Sequence, residues 1–128
     1  MVLDTSALVS IHIEEPGSQM LFRKIDEAPH VVIGAPILFE AAMVLSGRTG
    51  TDARFSLSRG LRRLGVEIVP FTEDHYEAAV TAFLRYGKGR HPAGLNFGDC
   101  MSYGLARVSG LPLLYTGNDF SLTDITAA

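Results

Sequence analysis

A chain of 128 residues with 47% hydrophobic and 20% charged side chains can bury a sizeable core and is too apolar to be disordered. Its net charge of -3 argues against a protein that holds nucleic acid through phosphates alone, because such proteins are basic. The one cysteine, Cys100, excludes an internal disulfide and a zinc–cysteine site, and reads as a small buried hydrophobe.

In chain order, Met1–Leu3 reads as a short apolar strand, with Thr5 and Ser6 offering capping oxygens for a helix through Ala7–Ile11. Glu14–Gly17 breaks it. A second helix follows over Ser18–Glu27, with Met20, Leu21, Ile25 and Ala28 as its apolar face. His30–Ile33 is the second strand. Pro36 opens a helix that Gly47 is expected to stop after about Leu45. Thr51–Leu64 predicts a helix with Phe55, Leu57, Leu61 and Leu64 inward and Arg54, Arg59, Arg62 and Arg63 on a solvated face. Val66–Pro70 is the third strand, Glu73–Arg85 a helix capped by Thr72, Lys88–Phe97 a loop, and Gly98–Ser109 a helix closed by Gly110. Leu111–Tyr115 is the fourth strand, Gly117–Asp119 a turn, and Asp124–Ile125 is read as a last edge strand. Short strands alternating with helices imply βαβ units and an α/β fold with a mostly parallel sheet of four or five strands. No apolar run approaches the roughly 18 residues of a membrane span. The N-terminus lacks the basic region of a signal peptide, so a cytoplasmic protein without membrane attachment is expected.

Four acids stand where an acid has little structural reason to be. Asp4 ends the first strand, Glu40 interrupts an apolar helix face shared with Ile37, Ala41 and Val44, Asp99 falls in the first turn of a helix, and Asp119 follows the fourth strand. Each has a bland alternative: a helix cap for Asp4, a buried arginine partner for Glu40, the helix dipole for Asp99, a turn for Asp119. In a parallel sheet, however, ligands sit beyond the carboxyl ends of the strands. Oxygen ligands without cysteine or a histidine cluster point to Mg²⁺, with Mn²⁺ able to substitute, in a site suited to phosphate chemistry. His12, His30 and His75 read as structural or exposed.

The opening Met1-Val2-Leu3-Asp4-Thr5-Ser6-Ala7-Leu8 resembles the start of PIN-domain ribonucleases. The segment Tyr86–Cys100 resembles one in VapC toxins of type II toxin–antitoxin systems, as do Pro112-Leu113-Leu114, Gly117–Phe120 and Leu122–Ile125. The resemblance covers the whole chain, residues 1–128, as a single PIN domain of three α/β/α layers. It implies a magnesium-dependent endoribonuclease cutting structured RNA, tRNA or rRNA, often a homodimer and held inactive by a VapB-type antitoxin. The family's acids carry over onto Asp4, Glu40 and Asp99, with the fourth at Asp119. Many PIN domains place that acid slightly earlier, where this chain has Gly117 and Asn118, so Asp119 and Asn118 both stand as readings of that corner. The resemblance also gives the hydroxyl of Thr5 or Ser6 a supporting role.

For gripping RNA, Arg85, Lys88 and Arg90 supply cations for phosphates and Tyr86 a ring for stacking. Two rival readings stand beside the nuclease: a PIN fold that has lost catalysis and binds RNA or protein, and an aspartate-based phosphatase or phosphoacceptor. The second needs a lysine at a strand end, and neither Lys24 nor Lys88 occupies one.

Overall fold

The computed structural model describes residues 1–128. Four very short strands, β1 (Val2–Leu3), β2 (Val32–Gly34), β3 (Glu67–Val69) and β4 (Leu113–Leu114), form one sheet in the order β3-β2-β1-β4. All pairings are parallel, with Val2 facing Val32 on one side and Leu113 on the other. The strands, two or three residues each, are shorter than the three to five residues expected. Their alternation nevertheless divides the interior cleanly, because successive side chains point to opposite faces. Leu3, Ile33 and Leu114 join one apolar cluster; Val2, Val32 and Leu113 join the other.

The first cluster is covered by α1 (Thr5–His12), α2 (Ser18–Glu27), α3 (Ala35–Thr49) and α4 (Arg54–Arg63). The second is covered by α5 (Glu73–Tyr86) and α6 (Phe97–Ser109). Helices thus flank a parallel sheet on both faces, the α/β/α arrangement expected.

Several boundaries differ from the sequence reading. Helix α3 passes through Gly47 and ends at Gly50, whose φ of 68° is the left-handed conformation that terminates helices. A lone glycine costs a helix only about 1 kcal/mol, so Ile37, Ala41 and Leu45, all buried, carry α3 past it. Helix α4 starts at Arg54, and Phe55 is 73% exposed instead of inward. Met20 on α2 also faces out. The last edge pairing involves not Asp124–Ile125 but Ala127, which bridges Leu113, while the Leu113 N–H donates to the Thr126 carbonyl at 2.9 Å.

Asp4 sits where this architecture concentrates its consequences. It directly follows β1, a central strand, and its N–H donates to the Leu114 carbonyl at 3.0 Å. Helix α1 starts at the next residue.

Candidate active site

Asp4, not Thr5 or Ser6, caps α1: its Oδ2 accepts from the Ser6 N–H at 2.9 Å and from the Ser6 hydroxyl at 2.5 Å. The capping reading is therefore met, but it does not account for Asp4 being 3% exposed. The other oxygen, Oδ1, accepts from the Ser102 hydroxyl of α6 at 2.6 Å. Three hydrogen bonds hold a buried carboxylate in one orientation without supplying a positive charge. Because Thr5 and Ser6 are freed from capping, their hydroxyls reach elsewhere. Thr5 donates to Glu40 Oε2 at 2.7 Å, and Ser6 Oγ also accepts from the Thr116 N–H, which ties the loop after β4 to the same corner.

Glu40 points inward on α3 and meets no arginine; Thr5 is its hydrogen-bond partner. The space for its carboxylate comes from Gly98. A Cβ built on Gly98 would strike both Glu40 oxygens. Glycine is among the poorest helix formers, and in the first turn of α6 its reason is this close approach.

Asp99 completes a capping box with Asn96. Its N–H donates to Asn96 Oδ1 at 3.0 Å, and its Oδ2 accepts from the Asn96 N–H at 2.8 Å. The remaining oxygen takes no hydrogen bond from the protein and is open to solvent. Burial pushes the Asp99 carboxyl up to about 6, and the charges of Asp4, Asp119 and Glu40 push in the same direction, against the Asn96 hydrogen bond. The four acids separated along the chain are thus brought within electrostatic reach of one another. No ion pair in the chain involves any of them; arginines pair instead with Glu15, Asp52 and Asp124.

Asp119 is the outer member, exposed at the start of a 3₁₀ turn, with Asn118 exposed before it. Its charge reaches Asp99, whereas Asn118 contributes none. No three of the Asp, Glu, His and Cys side chains close on one point as a ready cage. Mg²⁺ does not require one, since it keeps several waters and binds through one or two carboxylates. The donor set fits that ion: hard oxygens, and charge that no cation of the chain offsets.

The basic loop departs more from expectation. Tyr86 is 8% exposed, its ring 6.0 Å from that of Tyr103 and edge-on to His91 at 5.2 Å, so it offers no face to a base. Arg85 is partly committed, pairing with Asp124 at 3.3 Å. Lys88 and Arg90 are exposed and free of acidic partners. Lys24 donates to the Ala128 carbonyl and stands at no strand end, as the phosphoacceptor reading would need. Sequence reasoning left Gly98 and Asn96 outside the site, and read Ser102 only as part of the small, polar helix face that continues from Asp99. Two signals were there to find: an Asn three residues before an Asp, the spacing of a capping box, and a glycine inside a helical first turn.

The PIN domain model matches residues 1–125, and the chain belongs to the PIN-domain family. It is 45% identical over 127 residues to Ribonuclease VapC of Mycolicibacterium smegmatis, covering 99% of this chain and 98% of that protein. Over 126 residues it is 45% identical to Ribonuclease VapC30 of Mycobacterium tuberculosis, covering 98% and 95%. Within the PIN family it is a VapC-type ribonuclease toxin. The crystal structure of M. tuberculosis VapC20, described as a sarcin–ricin-loop-cleaving toxin, matches with a TM-score of 0.78 at 20% identity, covering 99% of this chain and 97% of that one. A toxin–antitoxin complex from Klebsiella pneumoniae matches at 0.73 and 16% identity, covering 99% and 95%. At those identities the two structures speak for the fold alone.

Proposed function

We propose that residues 1–128 form a single PIN domain that acts in the cytoplasm as a magnesium-dependent endoribonuclease, cutting structured RNA such as tRNA or rRNA. The observation that carries this reading is the group of four acids without a cationic partner, one of them raised to about 6 by burial and by the other three. Asp4 and Asp99 would hold Mg²⁺ directly, with Glu40 and Asp119 completing the ring. When bound, Mg²⁺ supplies charge neutralisation at phosphate oxygens and a water of lowered pKa.

The protein's own part is orientation. Ser6 and Ser102 fix both oxygens of Asp4, Thr5 fixes one oxygen of Glu40, and Asn96 fixes one oxygen of Asp99. One oxygen each of Glu40 and Asp99 takes no hydrogen bond from the protein, and either can accept a proton from an attacking water. Lys88 and Arg90 neutralise backbone phosphates. VapC20's action on the sarcin–ricin loop makes ribosomal RNA the first substrate to try.

A VapB-type antitoxin and a second copy of the chain are the partners in this reading. Met20, Phe22, Phe39, Met43 and Phe55 leave an exposed apolar surface on α2–α4 suited to the antitoxin, and a toxin–antitoxin complex shares the fold. Light scattering of the purified chain tests the homodimer. No helix is long and apolar enough to cross a membrane. The decisive assay is cleavage of ribosomal RNA and tRNA by the parent and by Asp4→Asn, with Mg²⁺ and with EDTA. Cleavage confined to parent plus Mg²⁺ is expected; equal cleavage by Asp4→Asn would refute the assignment.

A further inference from the structure

Ser6 joins two parts of the molecule that the backbone leaves apart. Strands β1 and β4 run parallel, the Val2 N–H donating to the Pro112 carbonyl at 2.8 Å and the Asp4 N–H to the Leu114 carbonyl at 3.0 Å. One step further, the ladder would send the Thr116 N–H to the Asp4 carbonyl. That carbonyl is already engaged, accepting from the Leu8 N–H at 3.2 Å as α1 begins. The Ser6 hydroxyl stands in for it and accepts from the Thr116 N–H at 3.0 Å. Its proton goes the other way, to Asp4 Oδ2. Both directions are fixed, since an amide N–H can only donate and an ionised carboxylate can only accept.

Beyond Thr116 the chain turns at Gly117, with φ at 86°, and Asn118 and Asp119 are exposed. The next firm anchor is Phe120, buried with its ring 5.0 Å from that of Tyr115. Asp119 thus hangs between one hydrogen bond to Ser6 and one buried ring. Its charge nevertheless reaches Asp99, so the loop lies close in against the other acids. We propose that Ser6 is a positioning residue for Asp119: by adding one bond to the β1–β4 ladder, it holds residues 115–119 against the acids around Asp4. This rests on the nuclease reading. It also sets Ser6 apart from Ser102, whose hydroxyl reaches Asp4 alone.

The test has a metal-free arm and a kinetic arm. In EDTA, amide hydrogen exchange at Thr116 should quicken by about 2- to 13-fold in Ser6→Ala, the fold-change of one hydrogen bond. It should return to the parent's rate in Ser6→Thr, while the Asp4 amide keeps its protection throughout. Initial rates of RNA cleavage with Mg²⁺ are then compared for the parent, Ser6→Ala, Asp119→Asn and the double variant. Ser6→Ala should lose about 10- to 100-fold in the parent background, and at least about 3-fold less where Asp119 is already Asn. Thr116→Pro removes the donor but leaves the Ser6–Asp4 bond, and should reproduce most of the loss. Melting curves report that each variant is folded. Unchanged exchange at Thr116, or a loss of equal size in both backgrounds, would overturn the proposal and leave Ser6 as a support of Asp4 alone. So would Thr116→Pro cleaving at the parent's rate. If parent and Asp99→Asn are equally inert, the nuclease reading fails and the proposal with it, whatever Thr116 shows.

Discussion

Asp99, half-buried in the first turn of α6, and Asp124, exposed beside the same helix, are treated by the protein in opposite ways. Asp124 accepts from the Tyr103 hydroxyl at 2.7 Å and has Arg85 at 3.3 Å and Arg107 at 3.9 Å. These partners, the Tyr103 hydrogen bond foremost, hold its carboxyl below the usual range. Asp99 is pushed up to about 6, by burial foremost and then by three acids nearby, with one backbone donor and no cation to oppose them. Asp124 is satisfied by the chain itself and fastens the C-terminal segment to α5 and α6. Asp99 is left with a charge the chain does not answer. Burial and the missing partners together separate an acid that awaits a ligand from one that serves the fold.

The largest expected effect is on chemistry. Asp4→Asn and Asp99→Asn should each lower RNA cleavage by at least about 10²-fold, whereas Asp124→Asn should leave it near the parent's rate, measured as initial rates on one substrate. Next comes Gly98→Ala. Alanine is the better helix former, yet its Cβ meets the Glu40 carboxylate, so a loss of about 10²-fold in rate without loss of melting temperature is expected. Ser102→Ala removes the donor to Asp4 Oδ1 and should cost about 10- to 100-fold in activity or apparent Mg²⁺ affinity.

The smallest effects are on stability, and their signs differ. Replacing Asp124 by Ala leaves the buried Tyr103 hydroxyl without its acceptor, a loss of about 1–3 kcal/mol read from denaturant melts. Asp99→Asn should instead raise the melting temperature at neutral pH in EDTA, by on the order of 1 kcal/mol after allowing for solvent screening. The pH dependences follow. Asp99's folded value lies above its ordinary 3.8, so the folded chain binds the extra proton; its contribution is present below about 4 and lost as pH rises through about 6. Asp124's folded value is depressed, so its contribution is present above about 4 and lost as pH falls through the folded value. Melting curves of the two variants against pH, without divalent metal, should diverge in these opposite directions.

The alternation of helices and strands made the α/β/α layering legible in the sequence, because a parallel sheet needs both faces covered. The strands proved shorter because two or three residues on each suffice to supply both clusters. What failed was the assignment of helix faces by pattern alone. Phe55 and Met20 fit an apolar stripe on their own helices but look out, since the stripe says nothing about where a neighbouring helix stops covering it. The positions of Asp4, Glu40 and Asp99 stood out because each breaks an apolar context. Of their supports, the hydroxyls of Thr5 and Ser6 were legible beside Asp4, whereas Ser102 lies 98 residues from Asp4 and no local pattern joins them. Tyr86 misled because an aromatic in a basic loop looks like a platform until the packing against Tyr103 is seen.

The most direct measurement is melting temperature against Mn²⁺ or Mg²⁺ concentration for the parent, Asp99→Asn and Asp124→Asn. A cation that binds only the folded chain must stabilise it in proportion to occupancy. The parent should gain steadily with metal, Asp124→Asn should gain as much from a lower start, and Asp99→Asn should stay flat. A parent that does not respond, or an Asp99→Asn variant that gains as much as the parent, would contradict the acidic cleft as the metal site.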